Sequence, residues 1–167
     1  MLDYIHMIYD YNYWGNGRIL DACEQLTQAE LDAPTKNGYA SLRATLVHTM
    51  HANWIWRSRW QGVSPQTVLD ERDYPTLASI RERWQHEEQQ TRAFLATLTE
   101  EKLAADLTYL NLKGVTFTLP LWQTMVHLAN HGTQHRSEVA FMLTALDRSP
   151  GDLDMSLFLN SRNGSTR

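Results

Sequence analysis

PLWQTMVHLANHGTQHRSEVAFMLTAL, residues Pro120 to Leu146, is the stretch that decides the fold. Its apolar residues Leu121, Met125, Leu128, Ala129, Val139, Met142 and Leu143 recur at helical spacing. Pro120 suits the first turn of such a helix, where its missing N–H costs nothing. Three histidines, His127, His131 and His135, stand at four-residue steps and share one face. Two imidazoles so spaced can bind one metal ion, as they do in helical zinc sites. His127 and His135 are about 12 Å apart along the axis, too far to serve one ion together. The pair is therefore 127/131 or 131/135, with His131 common to both. Gly132 sits in mid-helix, where glycine costs about 1 kcal/mol against alanine, and a small residue there admits a neighbouring helix. Glu138, three residues past His135, could orient an imidazole N–H or simply lie on the helix surface. Arg136 points about 100° away from His135, which favours a salt bridge over a substrate contact.

Working outward, the segment before Pro120 changes character. Residues 107–119 are rich in Thr and β-branched side chains and read as two short strands around a turn at Lys113-Gly114. A third long helix runs from the cap Thr76 to about Leu98, with Leu77, Ile80, Trp84, Thr91, Phe94, Leu95 and Leu98 as its apolar stripe. Arg81, Glu82, Arg83, Glu87 and Glu88 are expected on a solvated face. A second helix runs from the cap Ser41 to about Gln61 and carries His48 and His51, either of which could complete the metal set. The first spans about Leu2 to Leu26, interrupted by Gly15 and Gly17, which suggest close approach by another helix or a ligand. Thr27 to Glu30 reads as a capping box, and Pro34, Asn37 and Gly38 mark a loop. After Pro150-Gly151, Asp152 can cap a short helix from Leu153 to Leu159. Residues 1–160 form one domain in this reading, and 161–167 a frayed, disordered tail. Four long amphipathic helices, with one long connection between the third and the fourth, make an all-α bundle.

Composition sets the outer bounds. At 167 residues, 43% hydrophobic and 20% charged, the chain is long enough for one cored domain. A net charge of −4 argues against nucleic acid, which selects for a basic stripe; nothing suggests that Arg57, Arg59, Arg81 and Arg83 gather into one. One cysteine, Cys23, precludes an internal disulfide and fits a reducing compartment. It reads as buried packing. No stretch approaches the length of a membrane span, and the opening residues lack the pattern of a signal peptide. A soluble cytoplasmic protein, without nucleic-acid or membrane partners, is the expectation.

Several stretches together resemble the DinB family of metal-dependent proteins, described with the YfiT-like group. They are Tyr11-Asn-Tyr-Trp-Gly-Asn-Gly-Arg-Ile-Leu20, Ser41-Leu-Arg-Ala-Thr-Leu-Val-His48, Leu119-Pro-Leu-Trp-Gln with the following His127 to Arg136, and Asp152-Leu-Asp-Met-Ser-Leu-Phe-Leu159. The resemblance covers nearly the whole chain. It implies a four-helix bundle of up-down-down-up order and a homodimer; the strands read above then make a small β-hairpin insertion before the last long helix. It implies one divalent ion, zinc or nickel, held by His48, His131 and His135. That choice of 131/135 comes from the resemblance; spacing leaves both pairs open. His51 and His127 then flank the site, and Trp14 is expected to line its pocket. Three histidines with an exchangeable fourth position are the arrangement of a catalytic metal. Relatives of this fold include transferases and an isomerase that use low-molecular-weight thiols. Two functions follow as expectations: a metal-dependent transferase or hydrolase acting on a small molecule or thiol, and a non-catalytic metal- or ligand-binding protein of the stress-response kind. A purely structural ion is a third.

Overall fold

In the computed structural model the described residues are 1–36, 39–162 and 164. Asn37 and Gly38 of the expected loop, and 163 and 165–167 of the expected tail, lie outside them. Among the described residues there are seven helices: α1 (Leu2–Cys23), α2 (Gln28–Asp32), α3 (Leu42–Trp60), α4 (Leu77–Leu95), α5 (Glu100–Ala104), α6 (Leu121–Ala145) and α7 (Met155–Arg162). Strands β1 (Asp106–Leu110) and β2 (Thr116–Pro120) pair antiparallel, with Thr108 opposite Thr118, directly before α6.

The four long helices α1, α3, α4 and α6 make the bundle, and side-chain contacts fix their directions. The Tyr9 hydroxyl donates to the Met125 carbonyl (3.1 Å), and Arg136 donates to Asn16 (3.1 Å), so α1 and α6 run parallel. Trp60 Nε1 donates to Thr124 Oγ1 (3.0 Å), while His48 meets His131, so α3 and α6 run antiparallel. Arg57 holds Glu87 and Trp60 stacks on Phe94, so α3 and α4 run parallel. The order is up-down-down-up, and the connection between the parallel pair, residues 61–76, has to travel the length of the bundle.

Local chemistry starts the helices where expected. Ser41 Oγ accepts from the Ala44 N–H (3.0 Å), and Thr27 with Glu30 forms a reciprocal capping box. Three helices differ in their bounds from the sequence reading. α1 stops at Cys23, because Glu24, Gln25 and Leu26 bond back three residues rather than four. α4 stops at Leu95 for the same reason, and Thr99 then caps α5, a helix the reading did not separate. The last helix is capped by Asp154, whose carboxylate accepts from Ser156 N (2.7 Å); Asp152 accepts from Asp154 N instead.

The core divides into two apolar clusters. One gathers Ile19, Cys23, Leu46, Met50, Ile80, Trp84, Val139 and Leu143; the other gathers Ile5, Tyr9, Trp60, Leu95, Met125 and Leu128. Between them each helix turns polar inside: Asn12 and Asn16 on α1, Thr49 on α3, Glu87 and Thr91 on α4, His135 and Arg136 on α6. Glu87 is a correction. Expected on a solvated face, it is 1% exposed, clamped by Arg57 (2.8 Å) and Arg83 (2.6 Å). Two guanidiniums offset the cost of burying its charge. No described helix is long and apolar enough to cross a membrane.

Candidate metal centre

His48 comes from the middle of α3, and His131 and His135 come from adjacent turns of α6. Because the two helices run antiparallel, their histidines face one another across the α3–α6 seam. His48 Nε2 lies 3.3 Å from His131 Nε2, and His135 Nε2 lies 3.2 Å from His131 Nε2. One ligand atom from each falls within 4.8 Å of the other two. A tetrahedral ion with Zn–N bonds of ~2.0–2.1 Å needs nitrogens about 3.3–3.4 Å apart. Two edges of the triangle already have nearly that length. The donor set, three imidazole nitrogens, suits a borderline divalent ion.

The surroundings favour neutral rings with free lone pairs, the form a metal binds. Burial, followed by the neighbouring His135, His131 and His51, pushes the His48 pKa down to about 3. Burial and then His135 and His127 push His131 down to about 4, against a small opposing pull from Glu138. His135 Nδ1 lies 2.7 Å from Glu138 Oε2, an arrangement that seats the ring proton on Nδ1 and leaves Nε2 bare.

Tyr39, which the sequence reading passed over, stands at the cluster. Its hydroxyl is 2.8 Å from His48 Nε2, its ring stacks on His48 at 4.0 Å between centroids, and it meets His135 edge-on at 5.6 Å. Burial, and then Glu138, raise its pKa, so it holds its proton near neutral pH. Tyr39 sits in an irregular segment between α2 and α3, where no periodicity marks it; only its closeness to the Ser41 cap hinted at a place near the helix. A cleft of about 220 Å³ opens beside it, lined by His48, His51, Leu69 and Glu71 among others.

The other sequence candidates fall elsewhere. His51 Nδ1 accepts the Leu69 N–H (3.2 Å), pinning the connection after α3. His127 packs one turn along from His131, with ring centroids 6.0 Å apart, and meets Trp56 edge-on at 5.1 Å. Trp14 faces the last helix: its ring contacts are Tyr11, Phe158 and Arg18, and none is with a histidine of the cluster. Arg136 makes no salt bridge among the described residues. It is buried, donating to Asn12, to Asn16 and to Thr133 (2.7 Å), with Tyr11 against its guanidinium. That network accounts for two glycines. A Cβ on Gly15 would sit 2.9 Å from Arg136 Nε, and one on Gly132 would sit 3.1 Å from an Arg136 terminal nitrogen. What approaches closely is a side chain, not a helix backbone. Cys23 is fully buried, and burial pushes its thiol up to about 12, which leaves it inert at neutral pH.

The chain is 23% identical over 168 aligned positions to "Protein DinB" of Bacillus subtilis (strain 168), covering 95% of each chain. The model of the DinB family matches residues 1–165, so this four-helix chain with its three-histidine cluster belongs to the DinB family.

Proposed function

We propose that the three-histidine cluster holds one divalent ion, zinc or nickel, and that the protein is a metal-dependent transferase or hydrolase acting on a small molecule. The observation that carries this reading is the convergence of three imidazole Nε2 atoms, with His48 and His135 each 3.2–3.3 Å from His131, beside an open cleft. Three protein ligands leave an exchangeable position, the mark of a catalytic rather than a structural site. An ion there supplies Lewis acidity, lowering the pKa of a water or thiol that binds it. The chain's own residues do the rest. His48, His131 and His135 fix the position, and Glu138 holds the His135 ring in its binding tautomer. Tyr39 offers a protonated hydroxyl at the mouth. A low-molecular-weight thiol is the nucleophile most in keeping with the absence of a strong general base, because a thiol needs only modest acidification to react.

Zinc- or nickel-loaded protein incubated with glutathione, bacillithiol or mycothiol and an electrophilic acceptor should consume the thiol in a metal-dependent way. The activity should vanish in His131→Ala. A panel without metal-dependent turnover would instead support a second reading, a protein that sequesters metal or ligand. One observation favours that alternative: among the described residues the one carboxylate against a cluster histidine, Glu138, is already engaged by His135. A homodimer is part of the proposal, supported by exposed Leu110, Val115, Phe117 and Leu119 on the hairpin; sedimentation showing a monomer would remove it. So is a cytoplasmic location, in keeping with a single buried thiol.

A further inference from the structure

Five arginines lie in or against the bundle interior, and four have acceptors. Arg57 and Arg83 clamp Glu87, Arg81 pairs with Asp21 and Glu24, and Arg136 is held by Asn12, Asn16 and Thr133. Arg59 is different. It is 6% exposed, yet among the described residues its side chain has no ion pair and no hydrogen bond; its Nε is fully buried without a partner, as are those of Arg81 and Arg83, but those two have acceptors at their terminal nitrogens. Its guanidinium lies 4.7 Å from the Trp56 ring centroid and 4.9 Å from that of Tyr109, on β1. Cation–π contacts offset part of the desolvation cost but satisfy none of its donors.

The place of Arg59 matters as much as its isolation. Trp56 also touches His127, and His127 packs beside the ligand His131. A continuous wall therefore runs from the three-histidine cluster through His127 and Trp56 to Arg59 and Tyr109. Arg59 is eleven residues past His48, roughly 16 Å along the helix axis. Helical side chains lean toward the N-terminus, the long one of Arg59 further than that of His48, which places the guanidinium on the order of 10 Å from the cluster.

We infer that Arg59, framed by Trp56 and Tyr109, is an anion-recognition site, and that the small molecule reaching the three-histidine cluster carries a carboxylate about 10 Å from its metal-facing end. A carboxylate fits better than a phosphate. Among the residues that make up this wall, Arg59 is the single arginine. One planar fork matches one monoanion in two parallel hydrogen bonds. The inference rests on the cluster being a ligand site, so its test separates the two.

The probes are ω-mercaptooctanoate, whose extended chain spans about that distance, and its primary amide, each titrated calorimetrically into zinc-loaded protein. The acid should bind at least about 10-fold more tightly than the amide, the scale of one charge-assisted pair. In Arg59→Met that preference should fall to near unity, with zinc content unchanged. Arg59→Lys, which keeps the charge and loses the fork, should retain part of it and guards against a folding artefact. Equal affinities in the wild type, a preference that survives Arg59→Met, or no binding of the acid would each overturn the inference. Binding of the amide in those cases would leave the metal-site reading standing. Loss of amide and acid binding together in His131→Ala, with Arg59 intact, marks the cluster's own contribution.

Discussion

Helix α6 carries two polar clusters on adjacent seams, and they are built to opposite rules. Toward α1, Arg136 fills the space left by Gly15 and Gly132, and its donors meet Asn12, Asn16 and Thr133. Toward α3, His131 and His135 meet His48 with their Nε2 atoms converging, and among the described residues His131 Nδ1 is buried without a partner. His135 and Arg136 are neighbours in sequence yet serve different seams. A satisfied network locks helices together, whereas a cluster with unused acceptors is poised for something from outside. The first should therefore govern stability and the second binding.

The largest effect should come from breaking the closed side. Arg136→Met strips donors from two buried asparagines, each worth ~1–3 kcal/mol when left unsatisfied, so urea unfolding should show a loss of about 3 kcal/mol. Metal content of the folded fraction should stay the same; loss of metal without loss of stability would invert the comparison. On the open side, Glu138→Ala frees the His135 ring and should lower metal affinity about 10- to 100-fold with little change in unfolding. Competition with a chromophoric chelator reads it directly. Glycine substitutions sharpen the contrast further. Gly15→Ala forces Arg136 to move and should destabilise by about 1 kcal/mol, because overpacking outweighs the helix propensity gained. Gly17→Ala meets nothing within 4 Å and should stabilise by up to about 1 kcal/mol.

The open side also sets a pH dependence. Unfolded imidazoles take a proton near pH 6.5, whereas His48 and His131 in the fold resist until about 3 and about 4. Between those limits the unfolded state binds more protons, so stability rises with pH. Metal-free protein should thus lose melting temperature as pH falls from about 6.5 toward 4, with a shallower slope in His48→Ala. Identical slopes would mean that the cluster does not bury neutral rings.

The sequence made the long helices legible because their apolar residues repeat at 3.6, and the hairpin legible because Thr108 to Leu110 and Val115 to Thr118 do not. Spacing on α6 isolated His131 but left its partner open, since one helix cannot report what faces it; only the antiparallel register of α3 brings His48 to that level. Tyr39 was hidden by its irregular segment, and Glu87 by sitting among solvated charges on α4. Arg136 looked like a surface ion pair because its acceptors are neutral amides more than a hundred residues away. Arg59 gave no signal at all, since an unpaired arginine can be recognised only when every neighbour is known.

X-ray absorption of the cobalt-loaded protein would weigh the metal centre most directly. One cobalt per chain with three imidazole nitrogens at about 2.0–2.1 Å is expected, falling to two in His135→Ala and in His48→Ala, with no change in His127→Ala. An unchanged three-nitrogen shell in the His48 or His135 variants, or its loss in His127→Ala, would contradict the assignment.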